Sequence, residues 1–243
     1  MRWNRRTKER KTEGGLLRLL YPHVCPFCGR VTAEDICNEC REKLYYIEEP
    51  RCMRCSKPIR SKEQEYCYDC ERHTRVYERG YALWVHKGDV QRAIYQFKYH
   101  NRRIYSRFFG KELLSRYGQA VKKWDITTII PIPLSRKRRR IRGFNQAELL
   151  ARELGRGLGI PVDAKNLVRV RDTRPQKKMD AKERSLNLKR AFAWRGKGGI
   201  FGNILLIDDI YTTGSTIDAA ARVLKENGAG KIYFLTISIG QGY

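Results

Sequence analysis

The stretch Ile204 to Thr216, ILLIDDIYTTGST, constrains this chain more than any other. Four apolar residues in a row, Ile204, Leu205, Leu206 and Ile207, read as a strand buried on both faces, as in a parallel sheet. Asp208 and Asp209 follow at once. Adjacent carboxylates beside a core strand are costly unless something pairs or binds them. Thr212, Thr213, Gly214, Ser215 and Thr216 then set hydroxyls around a glycine, just before a helical pattern. A strand, an acid pair, a hydroxyl-rich loop and a helix N-terminus can hold a phosphorylated sugar. Amides and hydroxyls take the phosphate with help from the helix dipole, and the carboxylates accept from sugar hydroxyls.

A second constraint lies near the other end. All eight cysteines fall between residues 25 and 70, in four C-x-x-C pairs: Cys25/Cys28, Cys37/Cys40, Cys52/Cys55 and Cys67/Cys70. A two-residue gap lets both thiolates of a pair grip one metal, and two such knuckles close a tetrahedral four-cysteine site of the kind structural zinc takes. The order suggests tandem ribbons, the first two pairs on one Zn2+ and the last two on another. The spacing also permits a cross-braced arrangement, first with third and second with fourth. Disulfides would need an oxidising compartment, and a redox C-x-x-C is normally single. Four thiolates leave no open position, which speaks against catalytic zinc.

Between these stretches the periodicities alternate. Arg79 to His86 reads as a strand and Gly88 to Tyr99 as a helix with Val90, Ile94 and Phe97 on one face. A second helix is expected from about Ile104 to Val121. Asp125 to Pro133, DITTIIPIP, reads as the first core strand, ended by prolines that cannot continue a central ladder. RKRRRIR, Arg136 to Arg142, reads as a cationic loop suited to a highly charged anion, and a helix with Leu149, Leu150 and Leu154 on one face follows. Gly155, Gly157 and Gly159 end that helix rather than open one, so they are no dinucleotide fingerprint, and no triphosphate P-loop motif occurs. Arg171 to Asp180 is polar and aperiodic, of a length suited to a lid. The last helix is expected over about Ser215 to Asn227, closed by Gly228, with a final strand over Lys231 to Ile239.

Net charge is +25, from 51 Lys and Arg against 26 Asp and Glu, which implies polyanionic partners. Residues 1–20 read as a basic flexible tail. LLRLLY at 16–21 is too short for a signal-peptide core and carries Arg18, and no apolar stretch is long enough to span a membrane, so a cytoplasmic location is expected.

The acid-pair stretch closely resembles the phosphoribosyl-pyrophosphate (PRPP) loop of type I phosphoribosyltransferases. With the C-x-x-C pairs, QFKY at 96–99, IPIPLSRKRRRIRGFNQAELLA at 130–151 and TRPQKKMDAKERSLNLKRAF at 173–192, the whole chain resembles the ComF/ComFC family of competence-related proteins. Met179 stands where that resemblance leads one to expect leucine, a volume-conserving swap. The resemblance implies an α/β fold: a mostly parallel phosphoribosyltransferase type I-like sheet with flanking helices over 76–243, preceded by a small double zinc ribbon over 21–75. It implies that Asp208 and Asp209 serve the ribose hydroxyls and the reaction, directly or through Mg2+ water, and that Thr212, Thr213, Gly214, Ser215 and Thr216 cradle the 5-phosphate. Pro133, Leu134 and Ser135, with Arg136 through Arg142, would meet pyrophosphate, and Arg174, Gln176, Lys177 and Lys178 would close as a lid. It further implies Mg2+ with PRPP as cofactor and substrate, single-stranded DNA and a competence helicase as partners, and a role in DNA uptake during natural transformation. Tyr95, Phe97, Tyr99, Tyr105, Phe108 and Phe109 lie among cations and are candidates for base stacking, although ordinary core positions are the stronger expectation.

Overall fold

Four parallel strands form the centre of the molecule. The computed structural model describes residues 23–170 and 191–241. The basic segment 1–20 and the lid residues Arg174, Gln176, Lys177 and Lys178 lie outside the described residues. In chain order the first elements are β1 (His23–Val24), β2 (Val31–Thr32), α1 (Asn38–Glu42) and α2 (Tyr68–Arg72). They are followed by β3 (Arg79–Val85), α3 (Gly88–Tyr99), α4 (Tyr105–Lys122), β4 (Ile126–Pro131), α5 (Arg136–Arg142) and α6 (Gln146–Leu158). The chain then gives β5 (Leu167–Arg169), β6 (Phe192–Trp194), β7 (Asn203–Tyr211), α7 (Ser215–Glu226) and β8 (Ile232–Ile239). The sheet order is β3-β8-β7-β4, with every neighbouring pair parallel. β5 and β6 form a separate antiparallel pair.

The apolar runs explain the sheet. Ile204 to Ile207 and all eight residues of β8 are buried, because both faces of the two central strands are covered. Leu205, Ile207, Leu235 and Ile237 face a core shared with α3, α4 and α6. Ile204, Leu206, Ile232 and Phe234 face a second core shared with α7, Leu167 and Phe192. Alternation along each strand assigns successive residues to opposite cores. Both cores also contain cysteines: Cys25 and Cys40 join the first, and Cys52, Cys55, Cys67 and Cys70 the second. The two ribbons thus pack on opposite faces of one sheet.

The ribbon segment also protects the outer edge of β3. Ile47 N–H donates to the Leu83 carbonyl at 2.9 Å, Gly80 N–H to the Arg54 carbonyl at 2.9 Å, and Ala82 N–H to Ser56 Oγ at 3.0 Å. Backbone groups that would otherwise face solvent on an edge strand are satisfied within the chain.

One local expectation changes. Arg136 to Arg142 is a helix, not a loop. Arginine and lysine are good helix formers. Ser135 caps the start by accepting from Arg138 N–H at 3.3 Å, and Gly143 ends it at φ 74°, a left-handed conformation open to glycine. The Gly155–Gly159 run behaves as expected, with Gly159 terminating α6 at φ 71°.

Candidate functional site

The site is built at the C-terminal ends of β7 and β4, which are neighbours in the sheet. β7 runs on through the acids to Tyr211, so Asp208 and Asp209 are strand residues and take opposite faces. Asp209 is buried at 8% exposure and turns to the α3 side, where Lys98 Nζ lies 3.0 Å from its Oδ1. Both side chains of this ion pair are largely enclosed, so each charge depends on the other. Asp208 retains some solvent contact as a residue, but its carboxyl is packed among protein atoms, and it accepts from Asp209 N–H at 2.8 Å. Burial first, and then the charge of Asp209, pushes the Asp208 carboxyl up to about 7. Lys98 and Arg169 pull it back in part. The cost of two adjacent acids is therefore met in two ways, by a lysine for one and by a raised proton affinity for the other.

His86, at the end of β3, borders the same group. Its Nδ1 is 2.9 Å from Ser238 Oγ, and burial followed by the Lys98 charge lowers its pKa.

Beyond β7 the chain turns through Thr212 and Thr213 into α7. Gly214 sits at φ 80°, and a Cβ there would collide with the Tyr211 hydroxyl, so both conformation and space call for glycine. The Thr213 and Ser215 hydroxyls are 2.8 Å apart. Ser215, Thr216 and Ile217 open the helix, where backbone N–H groups have no intrahelical acceptors.

On the β4 side, Ile132 N–H donates to the Ile207 carbonyl at 2.8 Å, and Asn145 Nδ2 donates to the Ile132 carbonyl at 3.0 Å. These bonds fix the start of the turn carrying Pro133, Leu134 and Ser135. That turn, with Arg136 and Arg139, lines a cleft of about 540 Å³, closed on its other side by Lys165, Leu167, Val168, Arg169 and Arg195 among others. Every charged residue along it is a cation, which suits an anion of high charge. Arg142 does not line this cleft. It donates to Gln146 Oε1 at 3.0 Å and to the Tyr99 hydroxyl at 3.2 Å, with its guanidinium over the Tyr99 ring.

The cysteines resolve the pairing left open by their spacing. Cys25, Cys28, Cys37 and Cys40 form one cluster, and Cys52, Cys55, Cys67 and Cys70 the other, with all sulfur atoms of a cluster within 4.8 Å of one another. The arrangement is tandem. The Cys28–Cys37 and Cys55–Cys67 sulfurs are 3.6 and 3.5 Å apart. A tetrahedron with zinc–sulfur bonds of about 2.3 Å has edges of about 3.8 Å, so the donor sets fit structural Zn2+. All eight are free thiols rather than disulfides.

Residues 16–71 match the double zinc ribbon domain family. Competence protein ComFC of Bacillus subtilis is 30% identical over 213 residues, spanning 87% of this chain and 75% of that protein. The chain belongs to the ComF/ComFC family. Competence protein F of Haemophilus influenzae is 35% identical over 145 residues, 57% of this chain and 63% of that protein. DNA utilization protein YhgH of Escherichia coli K12 is 27% identical over 217 residues, 86% of this chain and 87% of that protein. Among solved structures, adenine phosphoribosyltransferase from Leishmania tarentolae aligns at 16% identity and a TM-score of 0.37, covering 60% of this chain and 74% of that one. At that score the likeness carries no argument of its own.

Within this ComF/ComFC chain the structure adds groups that the motifs left without a role. Lys98 belongs to the quoted QFKY segment. Its signal was its place four residues after Ile94, on the apolar side of α3, where a lysine needs a buried partner. His86 and Arg169 carry no local signal. Of the candidate stacking aromatics, Phe97, Tyr105, Phe108 and Phe109 are core, whereas Tyr95 and Tyr99 are 55% and 49% exposed. No described helix is long and apolar enough to cross a membrane.

Proposed function

We propose that this chain binds Mg-PRPP and transfers its ribosyl group to an acceptor, displacing pyrophosphate, as its part in competence-associated DNA uptake. The observation that supports this most is the convergence of three features at one end of a parallel sheet. They are the Asp208–Asp209 pair, the Thr212–Thr216 loop after it, and the Pro133–Arg136 turn after the neighbouring strand. Ligands of such sheets bind outside the carboxyl ends of the strands.

In this reading Thr212, Thr213, Gly214, Ser215 and Thr216 hold the 5-phosphate through amides and hydroxyls. Asp208 takes the ribose hydroxyls, and Lys98 holds the Asp209 carboxylate in place beside it. The carboxylate oxygens are hard donors of the kind Mg2+ prefers, and bound Mg2+ would neutralise charge on the leaving pyrophosphate. Arg136, Arg139 and Arg169 stabilise that same charge from the cleft, and Arg174, Gln176, Lys177 and Lys178 exclude water as a lid. The bond from the anomeric carbon to pyrophosphate breaks, both electrons leaving with oxygen. The acceptor's lone pair forms the new bond, and its proton passes to solvent.

A second reading keeps PRPP binding without transfer, in an adaptor that handles single-stranded DNA alongside a competence helicase. It draws on Tyr95 and Tyr99, whose exposed rings lie 4.9 Å apart beside Arg142 and His100. Pyrophosphate release from Mg-PRPP, followed across bases, amines and single-stranded DNA ends, separates the two. Acceptor-dependent release that disappears in Asp208→Asn/Asp209→Asn is expected. Binding of Mg-PRPP without release for any acceptor would favour the adaptor, whose DNA affinity should then fall steeply with salt.

A further inference from the structure

The second ribbon is joined directly to the loop that follows β7. Arg75, just beyond the last cysteine, donates from Nη2 to the Thr213 carbonyl at 2.8 Å and to the Asp69 carbonyl at 3.3 Å. Val76 N–H donates to Asp218 Oδ1, in the first turn of α7, at 2.7 Å. The hydroxyls of Tyr77 and Tyr211, both buried, are 2.6 Å apart. Residues 69–77 thus hold residues 211–218 before, within and after the hydroxyl loop.

We propose that the second zinc ribbon sets the conformation of this loop, with Arg75 as the positioning residue, so that metal at Cys52, Cys55, Cys67 and Cys70 and phosphate-ester binding at Thr212–Thr216 are coupled. The proposal rests on reading that loop as a phosphate cradle. The geometry gives the mechanism. The Thr213 carbonyl and the Gly214 N–H belong to one planar trans peptide and point in opposite directions. Holding the carbonyl toward Arg75 therefore holds the Gly214 N–H away from it, presented for an anion. Asp69, the other anchor of Arg75, lies in α2 between the ligands Cys67 and Cys70. A ribbon of this size depends on its metal for folding, so losing Zn2+ releases that anchor. The Nε of Arg75 is buried without a hydrogen-bond partner. Burying that nitrogen is a cost carried beside the two Nη2 hydrogen bonds, which an arginine serving only solubility would avoid.

Coupling of this kind is reciprocal: if zinc tightens phosphate-ester binding, the ester tightens zinc by the same factor. The test uses the full chain with both metal sites filled, as wild type, Arg75→Ala, Arg75→Lys and a control, Arg72→Ala. Arg72 is exposed and its guanidinium lies over Tyr68, on the same helix but without a bond to the loop. Hydrogen exchange over residues 211–218 is read first. It should accelerate at least about fivefold in Arg75→Ala, less in Arg75→Lys, and not in Arg72→Ala, with zinc content unchanged. Mg-PRPP affinity should fall about tenfold in Arg75→Ala, and Mg-PRPP should raise zinc retention against a chelator in wild type but not in that variant. Exchange in both Arg75 variants equal to wild type, or zinc retention indifferent to bound Mg-PRPP, overturns the proposal. Faster exchange in the variants with no Mg-PRPP binding by wild type keeps the strut and refutes the phosphate-cradle reading instead. If Arg75→Ala does not fold, Arg75→Lys and the chelator competition on wild type carry the same decision.

Discussion

Replacing Lys98 with methionine tests the electrostatics of the acid pair. The substitution keeps most of the stem and removes the charge 3.0 Å from Asp209. Lys98 and Asp209 side chains are 15% and 11% exposed, so screening by solvent is slight. Removing one partner of a buried pair typically costs about 3–5 kcal/mol. With both side chains this enclosed, a loss of about 3–5 kcal/mol is expected at pH 8. The sign of the pH dependence follows from Asp208. Its folded pKa, about 7, is above its ordinary value of 3.8, so ionisation disfavours the fold and stability declines as pH rises from about 4 to 7. Without Lys98 the Asp208 carboxyl loses a charge that holds its pKa down, so the deficit of the variant should be largest at pH 8 and shrink toward pH 5.5, where Asp208 is protonated. Urea unfolding at both pH values measures it. Equal stability of variant and wild type at pH 8, or a deficit that grows on acidification, would refute this account of how β7 tolerates two acids.

Other expectations follow from the same geometry. Gly214→Ala should cost about 1–3 kcal/mol in urea unfolding, because φ 80° and the Tyr211 hydroxyl both oppose a Cβ; an unchanged midpoint would contradict it. A zinc chelator should remove one equivalent faster than the other. The fast one is expected at Cys25, Cys28, Cys37 and Cys40, since Cys28 and Cys37 are partly exposed and the second set is fully buried. The fast phase should vanish in Cys28→Ser, and release of both metals at one rate would count against the assignment. Mg-PRPP affinity should weaken by up to about tenfold per pH unit below about 7 as Asp208 takes its proton, and level off above; a flat profile from pH 5.5 to 8 would show that Asp208 takes no part in binding.

Much of this was legible in the sequence because it is local. The apolar run at 204–207, the glycine at a left-handed turn and the C-x-x-C knuckles each state their own geometry within a few residues. The choice of tandem over cross-braced zinc was not local. It depends on which knuckles the fold brings together, and the ribbons end up on opposite faces of the sheet. Lys98 and Arg75 were hidden for the same reason, since each acts on a carboxylate or carbonyl far along the chain that only the fold brings near. The arginine-rich stretch misled in another way. Its charge reads as a loop, but Ser135 and Gly143 supply a start and a stop, and the residues between favour a helix.

The central claim is that the end of β7 binds Mg-PRPP through its acid pair. Calorimetric titration of the zinc-loaded full chain with Mg-PRPP at pH 8, in wild type and Asp208→Asn/Asp209→Asn, tests it most directly. One site per chain in wild type, weakened at least about tenfold in the double variant, is the expected result. Equal affinity in both proteins, or binding by neither, would contradict the account.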